Sequence, residues 1–232
     1  MKTRLAKFIA SSGIASRRAA EELIATGAVS VNGVVVNTPV FFVEENDVVS
    51  VNGQDIKKQE DIKLYMFHKP LNTMTTTHDP EGRKTIYDVL DKKYQNLKYI
   101  GRLDFKTTGL LLLTNNGELA RKLSLPKNHI PRTYIATVNS FDEHGLNIAR
   151  SGVVIDGIKY RPMDIDIIDK KNLRVTVTEG KKNEIRIVFK HIKSPIVALH
   201  RIKYGDVSLG KLGVGKIIEI DKKTIDLVLK KL

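Results

Sequence analysis

Residues 101–117 read GRLDFKTTGLLLLTNNG, and the fold turns on the four leucines at 110–113. Bounded by Gly109 on one side and by Asn115, Asn116 and Gly117 on the other, they predict a short strand buried on both faces. Just ahead, Arg102 and Asp104 flank Leu103, an apolar residue suited to anchoring the segment, and Thr107, Thr108 and Gly109 follow. Polar groups on a loop tied to a rigid strand usually mark a site. Taken alone, Asp104 also fits a turn residue that accepts backbone hydrogen bonds.

A chain of 232 residues can hold one large domain, or a small one plus a medium one. No apolar run is long enough to span a bilayer, and the opening MKTRLAKFIASSGIASRR has too short an apolar block for a signal peptide, so a soluble cytoplasmic protein with no membrane partner is expected. The absence of Cys excludes disulfides and thiolate-held zinc. The six His (68, 78, 129, 144, 191 and 200) show no paired ligand spacing, so neither a metal nor a cofactor is implied. Lys plus Arg at 39 against Asp plus Glu at 26 leaves +13, which suggests a polyanion partner, nucleic acid before membrane surface. A solvated basic surface with no specific partner is the alternative. Positions 1–58 hold seven basic and six acidic residues, so nearly all the excess lies beyond them.

In chain order, Leu5, Phe8 and Ile9 share one helical face, with Gly13 as a stop signal. A second helix opens after Ser16, a good N-cap, and runs to Gly27. Arg17 and Arg18 fall in its first turn, where the helix dipole disfavours cations. A phosphate would satisfy both guanidinium groups and the free N–H groups, although two exposed arginines in water explain them equally. Residues 29–31, the Asn32-Gly33 turn and residues 34–36 predict a hairpin, with another strand at 48–51. The polar run 54–61 reads as a linker. Alternation over 62–67 predicts a strand ending at His68, Lys69 and Pro70, residues 73–78 read as strand, 85–90 as a short helix, and 131–138 as strand. After a helix at 141–150, strands are expected at 153–155, 165–168 and 173–178. Residues 210–216, GKLGVGK, imitate the start of a phosphate-binding P-loop, but Ile217 replaces the hydroxyl residue and 217–220 looks like strand.

The central stretch closely resembles the motif G-R-L-D-x-x-T-x-G-L-L-L-L-T-N-D-G of bacterial ribosomal RNA pseudouridine synthases of the RsuA and RluB/RluE/RluF type. The resemblance makes Asp104 the nucleophile. Residues 2–54, with RLAKFIASSGIASRRAAEELIATGAVSVNG, look like the alpha-L RNA-binding domain that precedes the catalytic domain in the same family, with Arg17 and Arg18 as RNA contacts. FHKPLNTMTTTHDPEGRKT resembles the family's Lys-Pro segment, which implies a substrate-binding place for Lys69. Arg132-Thr133-Tyr134 fits the family's basic residue, any residue, then Tyr, so Tyr134 would stack on the target uracil. EGKKNEIRIVF (179–189) is similar to E-G-x-x-R-Q-V-R-R-M-F and puts Arg186 on the arginine that pairs with the catalytic carboxylate. IVALHRIKYGDVSLGKLGVGKIIEI fits the closing segment, in which Leu199 lines the uracil pocket. Arg102 would enter the space left by a flipped base, or pair with Asp104 itself. Two positions depart from the pattern, Asn183 and Ile187, and each removes a cation.

The expectation is therefore an α+β protein: a small N-terminal alpha-L RNA-binding domain over 1–58, then a pseudouridine synthase domain over 59–232 with a large mixed, mostly antiparallel sheet. The implied activity is isomerisation of a uridine in ribosomal RNA, with large-subunit RNA preferred, acting on RNA or a pre-ribosomal particle as a monomer. Such chemistry needs an ionised Asp104 in a dry, closed cleft, kept charged by Arg186. The rival is a non-catalytic RNA-binding or ribosome-assembly protein that retains the synthase fold.

Overall fold

In the computed structural model, which describes residues 2–57 and 61–230, the chain divides into two units. One holds the residues up to Lys63 with Asn96–Lys98 and Asn115–Gly117, and the other holds Leu64–Gln95, Tyr99–Thr114 and Glu118 onward. The expected boundary at 58/59 falls outside the described residues.

In the first unit β1 (Thr3–Arg4) leads into α1 (Leu5–Ser11), followed by α2 (Arg17–Ala25). The Ser16 hydroxyl accepts the Ala19 N–H at 3.2 Å, which supplies one of the partners a helix start lacks. Then come β2 (Val29–Val31), β3 (Val34–Val35), β4 (Phe42–Val43), β5 (Val49–Val51) and β6 (Gln54–Ile56). β1 pairs with β4, and the other four strands form a sheet in the order β3-β2-β5-β6. Asn32 and Gly33 both take positive φ (52° and 81°), the backbone that a two-residue hairpin between twisted strands requires. Leu5, Ile9, Ala20 and Ile24 pack on Val29, Val31 and Val49 as the core. The expected linker is corrected at its start: Gln54–Ile56 pairs with β5, and Ile56 is buried in that core.

The second unit is built on β7 (Leu64–Lys69), β8 (Lys98–Ile100), β9 (Thr107–Thr114), α3 (Gly117–Ser124), β10 (Arg132–Val138), α4 (Glu143–Ser151), β11 (Val153–Ile155), β12 (Ile158–Tyr160), β13 (Asp164–Ile167), β14 (Asn172–Val177), α5 (Glu184–His191), β15 (Ile196–Tyr204), β16 (Val207–Ser208), β17 (Ile217–Glu219) and α6 (Lys222–Lys230). Among the described residues a nine-stranded sheet runs β13-β14-β10-β15-β9-β7-β17, with β16 beside β15 and β8 beside β9. Its ladders along that path are antiparallel except at β15–β9, which is parallel. The leucines of β9 are buried throughout, as expected of a strand covered on both faces. No helix among the described residues is long and apolar enough to cross a membrane.

Three local expectations are corrected. Residues 73–78 form no strand. Only a bridge from Met74 to Thr85 remains, because this segment spends its polar groups on a neighbouring loop rather than on a ladder. Residues 85–90 form consecutive turns in place of a helix, and the Asp88 carboxylate takes both the N–H and the hydroxyl of Thr85. β7 does not alternate in burial, since Tyr65 is covered as well as Leu64 and Phe67. The helix α5 was not foreseen. The P-loop-like stretch does run into the strand β17, not into a helix.

The β9–β15 junction tolerates no side chain at one point. Gly109 has φ +105°, and a Cβ there would stand 2.2 Å from the Arg201 carbonyl oxygen. Gly109→Ala combines a strained backbone with overpacking and should lower the unfolding free energy by about 3 kcal/mol or more. Urea denaturation measures it, and an unchanged midpoint would contradict the close approach.

Candidate active site

Asp104 stands on a loop that its neighbours hold at several points. Gly101 N–H donates to the Ser124 hydroxyl at 2.9 Å. The Thr75 hydroxyl donates to the Leu103 carbonyl at 2.8 Å and accepts the Leu103 N–H at 3.2 Å, while the Leu103 side chain is buried. Asn72 N–H reaches the Phe105 carbonyl at 3.0 Å, and Thr107 N–H closes a turn onto the Asp104 carbonyl at 2.9 Å. Every bond in this set engages backbone, so the Asp104 carboxylate is left free of structural duty. Thr75 escaped the sequence reading because its residue type suits a strand as well as a clamp.

The loop borders a cleft of about 360 Å³ whose walls include Arg102, Asp104, Tyr134, Arg186, Leu199 and Arg201. The expected residues Asp104, Arg102, Tyr134, Arg186 and Leu199 therefore meet in one place. β10 alternates in burial and turns Arg132, Tyr134 and Ala136 to its covered side. Leu199 sits opposite Ala136 and beside Thr107, which carries it to the same wall. Arg17 and Arg18 are exposed in the first turn of α2, in the other unit.

Two expectations about charge are corrected. Asp104 is exposed, not sealed in a dry pocket, and among the described residues no cation lies within the 4.0 Å of an ion pair, neither Arg186 nor Arg102. The Arg186 guanidinium instead donates to the Lys106 carbonyl at 2.7 Å and to the Ile196 carbonyl at 3.3 Å. It ties α5 to the loop that carries Asp104 and acts on the carboxylate from a longer range. Burial draws Arg186 below the ordinary guanidinium value, and the Asp104 charge opposes that pull.

Lys69 is the second correction. It is 0% exposed, lies outside the cleft wall, and donates from Nζ to the carbonyls of Pro70 (3.0 Å) and Thr107 (2.8 Å). The amine is a structural cation beneath the site, at the end of a strand covered on both faces. Burial lowers its pKa to about 8, with Asp104 pulling it up and Arg201 pushing it further down.

The departures at 183 and 187 have local meaning. Asn183 takes φ +55° ahead of α5, a left-handed position that Asn tolerates better than most side chains, and its carbonyl accepts the Ile187 N–H at 2.9 Å. Beside it Glu184 is buried, accepts the Gly180 N–H at 3.0 Å, and is pushed above the ordinary carboxyl range by burial.

Comparison with known proteins shows the family of the chain. The profile of a family described as RNA pseudouridylate synthase matches residues 63–191, and that of the S4 domain matches residues 3–49. A Rickettsia bellii protein named as an uncharacterized RNA pseudouridine synthase is 39% identical, with 95% of this chain and 97% of that protein aligned. The ribosomal large subunit pseudouridine synthase B of Bacillus subtilis is 36% identical over 94% of this chain and 91% of its own. A crystal structure of a pseudouridylate synthase superposes with a TM-score of 0.71 at 29% identity, covering 97% of this chain and 99% of that one.

The buried amine of Lys69 gives a pH test. Between about pH 8 and 10.5 the unfolded chain keeps a proton that the folded chain has lost, so this group makes stability rise with pH. Measured against Lys69→Met, wild-type unfolding free energy should gain up to about 3 kcal/mol across that window. A pH-independent difference would show that the amine is not desolvated.

Proposed function

The chain belongs to the RNA pseudouridylate synthase family, and from that premise we propose that it converts a uridine of large-subunit ribosomal RNA to pseudouridine, with Asp104 as the nucleophile. The observation that carries the residue assignment is the convergence of Asp104, Tyr134, Arg186 and Leu199, distant in sequence, on one cleft. Simple phosphate binding does not require a carboxylate, an aromatic ring and an arginine in such a cleft. The choice of large-subunit RNA is supported by what the B. subtilis relative is named for.

The reaction breaks the bond between ribose and uracil N1, turns the base, and rejoins it through C5. The uridine must first leave its stack at a cost of a few kcal/mol, which contact with Tyr134 and Leu199 offsets. Arg102, which is exposed and lines the cleft, would fill the gap left in the RNA. Because Asp104 is open to water, the RNA itself is the lid: its arrival excludes solvent from the carboxylate. The N-terminal domain, residues 1–58, grips RNA through the phosphates that Arg17 and Arg18 suit. The reaction takes place in the cytoplasm on ribosomal RNA or a pre-ribosomal particle, and a single copy of the chain holds every residue named.

Chemical mapping of pseudouridine in ribosomal RNA tests the reading. Deleting the gene should remove a modification from large-subunit RNA. Wild-type protein should restore it, and Asp104→Asn, which changes only charge and nucleophilicity, should not restore it while still binding RNA. An unchanged modification map would favour a non-catalytic RNA-binding role.

A further inference from the structure

Arg201 is 1% exposed and lines the cleft, yet among the described residues no carboxylate lies within 4.0 Å of it. Its Nε donates to the Leu110 carbonyl at 2.7 Å, and its Nη1 reaches the Tyr134 hydroxyl at 3.5 Å. The guanidinium stands over the Tyr204 ring at 5.0 Å and the Tyr134 ring at 5.9 Å. Among the described residues Nη2 has no hydrogen-bond partner. Burying a cation with an unused donor is costly, and a fold keeps such a group where something else completes it. Arg201 pairs with Tyr134 in the β10–β15 register and follows Leu199 by two residues on the same strand, so its side chain belongs to the same wall of the cleft, with Nη2 just beneath the surface.

We propose that Arg201 is a catalytic residue whose Nη2 donates a hydrogen bond to a carbonyl oxygen of the extruded uracil and stabilises the negative charge the ring acquires. This inference rests on the pseudouridine synthase reading of the cleft. It holds for either point of attack. If the Asp104 carboxylate attacks C1′, a C–O bond forms there as the C1′–N1 bond breaks, and that electron pair leaves with the base. If it attacks C6, a C–O bond forms there while the C5=C6 pair moves onto the C4 carbonyl oxygen. Both routes load the carbonyl oxygens with charge. On the second route the C1′–N1 bond breaks after the addition, its electron pair staying on N1. On either route C5 then bonds to C1′, the bond to the carboxylate breaks to release it, and the C5 proton is lost as N1 gains one, so the net change is an isomerisation. A preorganised donor in a shielded site acts on that charge without reorganising. Gly109 contributes by letting β9 approach the Arg201 backbone, which fixes where the guanidinium starts.

The test is single-turnover conversion of ribosomal RNA fragments carrying uridine, 2-thiouridine or 4-thiouridine at the mapped position, by full-length wild type, Arg201→Met and Arg201→Lys. Sulfur accepts hydrogen bonds more weakly than oxygen, so one of the two thio substitutions should slow the wild type. Arg201→Met should slow uridine conversion about 100-fold, the loss typical of removing such a donor, with RNA affinity close to wild type. The thio substitution that slows the wild type should cost this variant nothing further. Arg201→Lys, which keeps the charge without the forked donors, should fall between the two. Losses that simply multiply, as a structural role predicts, overturn the proposal, and so does a wild type indifferent to both thio substitutions. If Arg201→Met does not fold, Arg201→Lys and the wild-type series decide. A wild type that leaves the uridine fragment unconverted refutes the functional reading itself, a different outcome from any of these.

Discussion

The parallel contact between β9 and β15 is the constraint on which the site depends. Antiparallel neighbours join the rest of the path through the large sheet, and this one junction brings a late strand against the leucine strand that follows the Asp104 loop. Gly109 makes the approach possible, since any Cβ there would meet the Arg201 backbone. Leu199 and Arg201 are thereby set beside Thr107 and Gly109, while β10 on the other side of β15 contributes Tyr134. One wall of the cleft is thus a consequence of strand pairing, with side-chain direction following from the alternation along each strand.

The loop carrying Asp104 is secured by a different means. Its carbonyls and N–H groups are taken by Thr75, Ser124, Asn72 and Arg186, and the buried amine of Lys69 holds the carbonyl of Thr107 at its end. Lys69 and Arg186, whose charged forms the Asp104 charge favours, are both spent on backbone oxygens, so neither neutralises the carboxylate by contact. A carboxylate held in this way is exposed and solvated until a ligand covers it. The arrangement suits a substrate large enough to act as its own cover, which an RNA is and a free nucleoside is not.

Much of this was legible in the residues. The four leucines announced a strand covered on both faces, and the Asn-Gly pairs announced their turns, because those signals depend on local backbone preference and burial alone. Residues 73–78 misled because β-branched side chains favour extended backbone without saying whether a ladder partner exists. Lys69 misled because its fate is decided by the carbonyl of Thr107, delivered by another strand, and a sequence does not show which carbonyls will surround an amine. The contact between Asp104 and Arg186 was expected from residue types that attract, yet the guanidinium finds backbone acceptors at Lys106 and Ile196 instead. Arg201 was readable after the fact, since an arginine two places beyond an inward Leu199 on one strand must face inward too.

The central claim is that the cleft around Asp104 performs the isomerisation, and rejoining the base through C5 expels the hydrogen held there. Purified protein incubated with unmodified ribosomal RNA, tritiated at C5 of its uridines, measures that step directly. The account predicts release of the label from the modified uridine into water, and RNA that is bound with its tritium fully retained would contradict it.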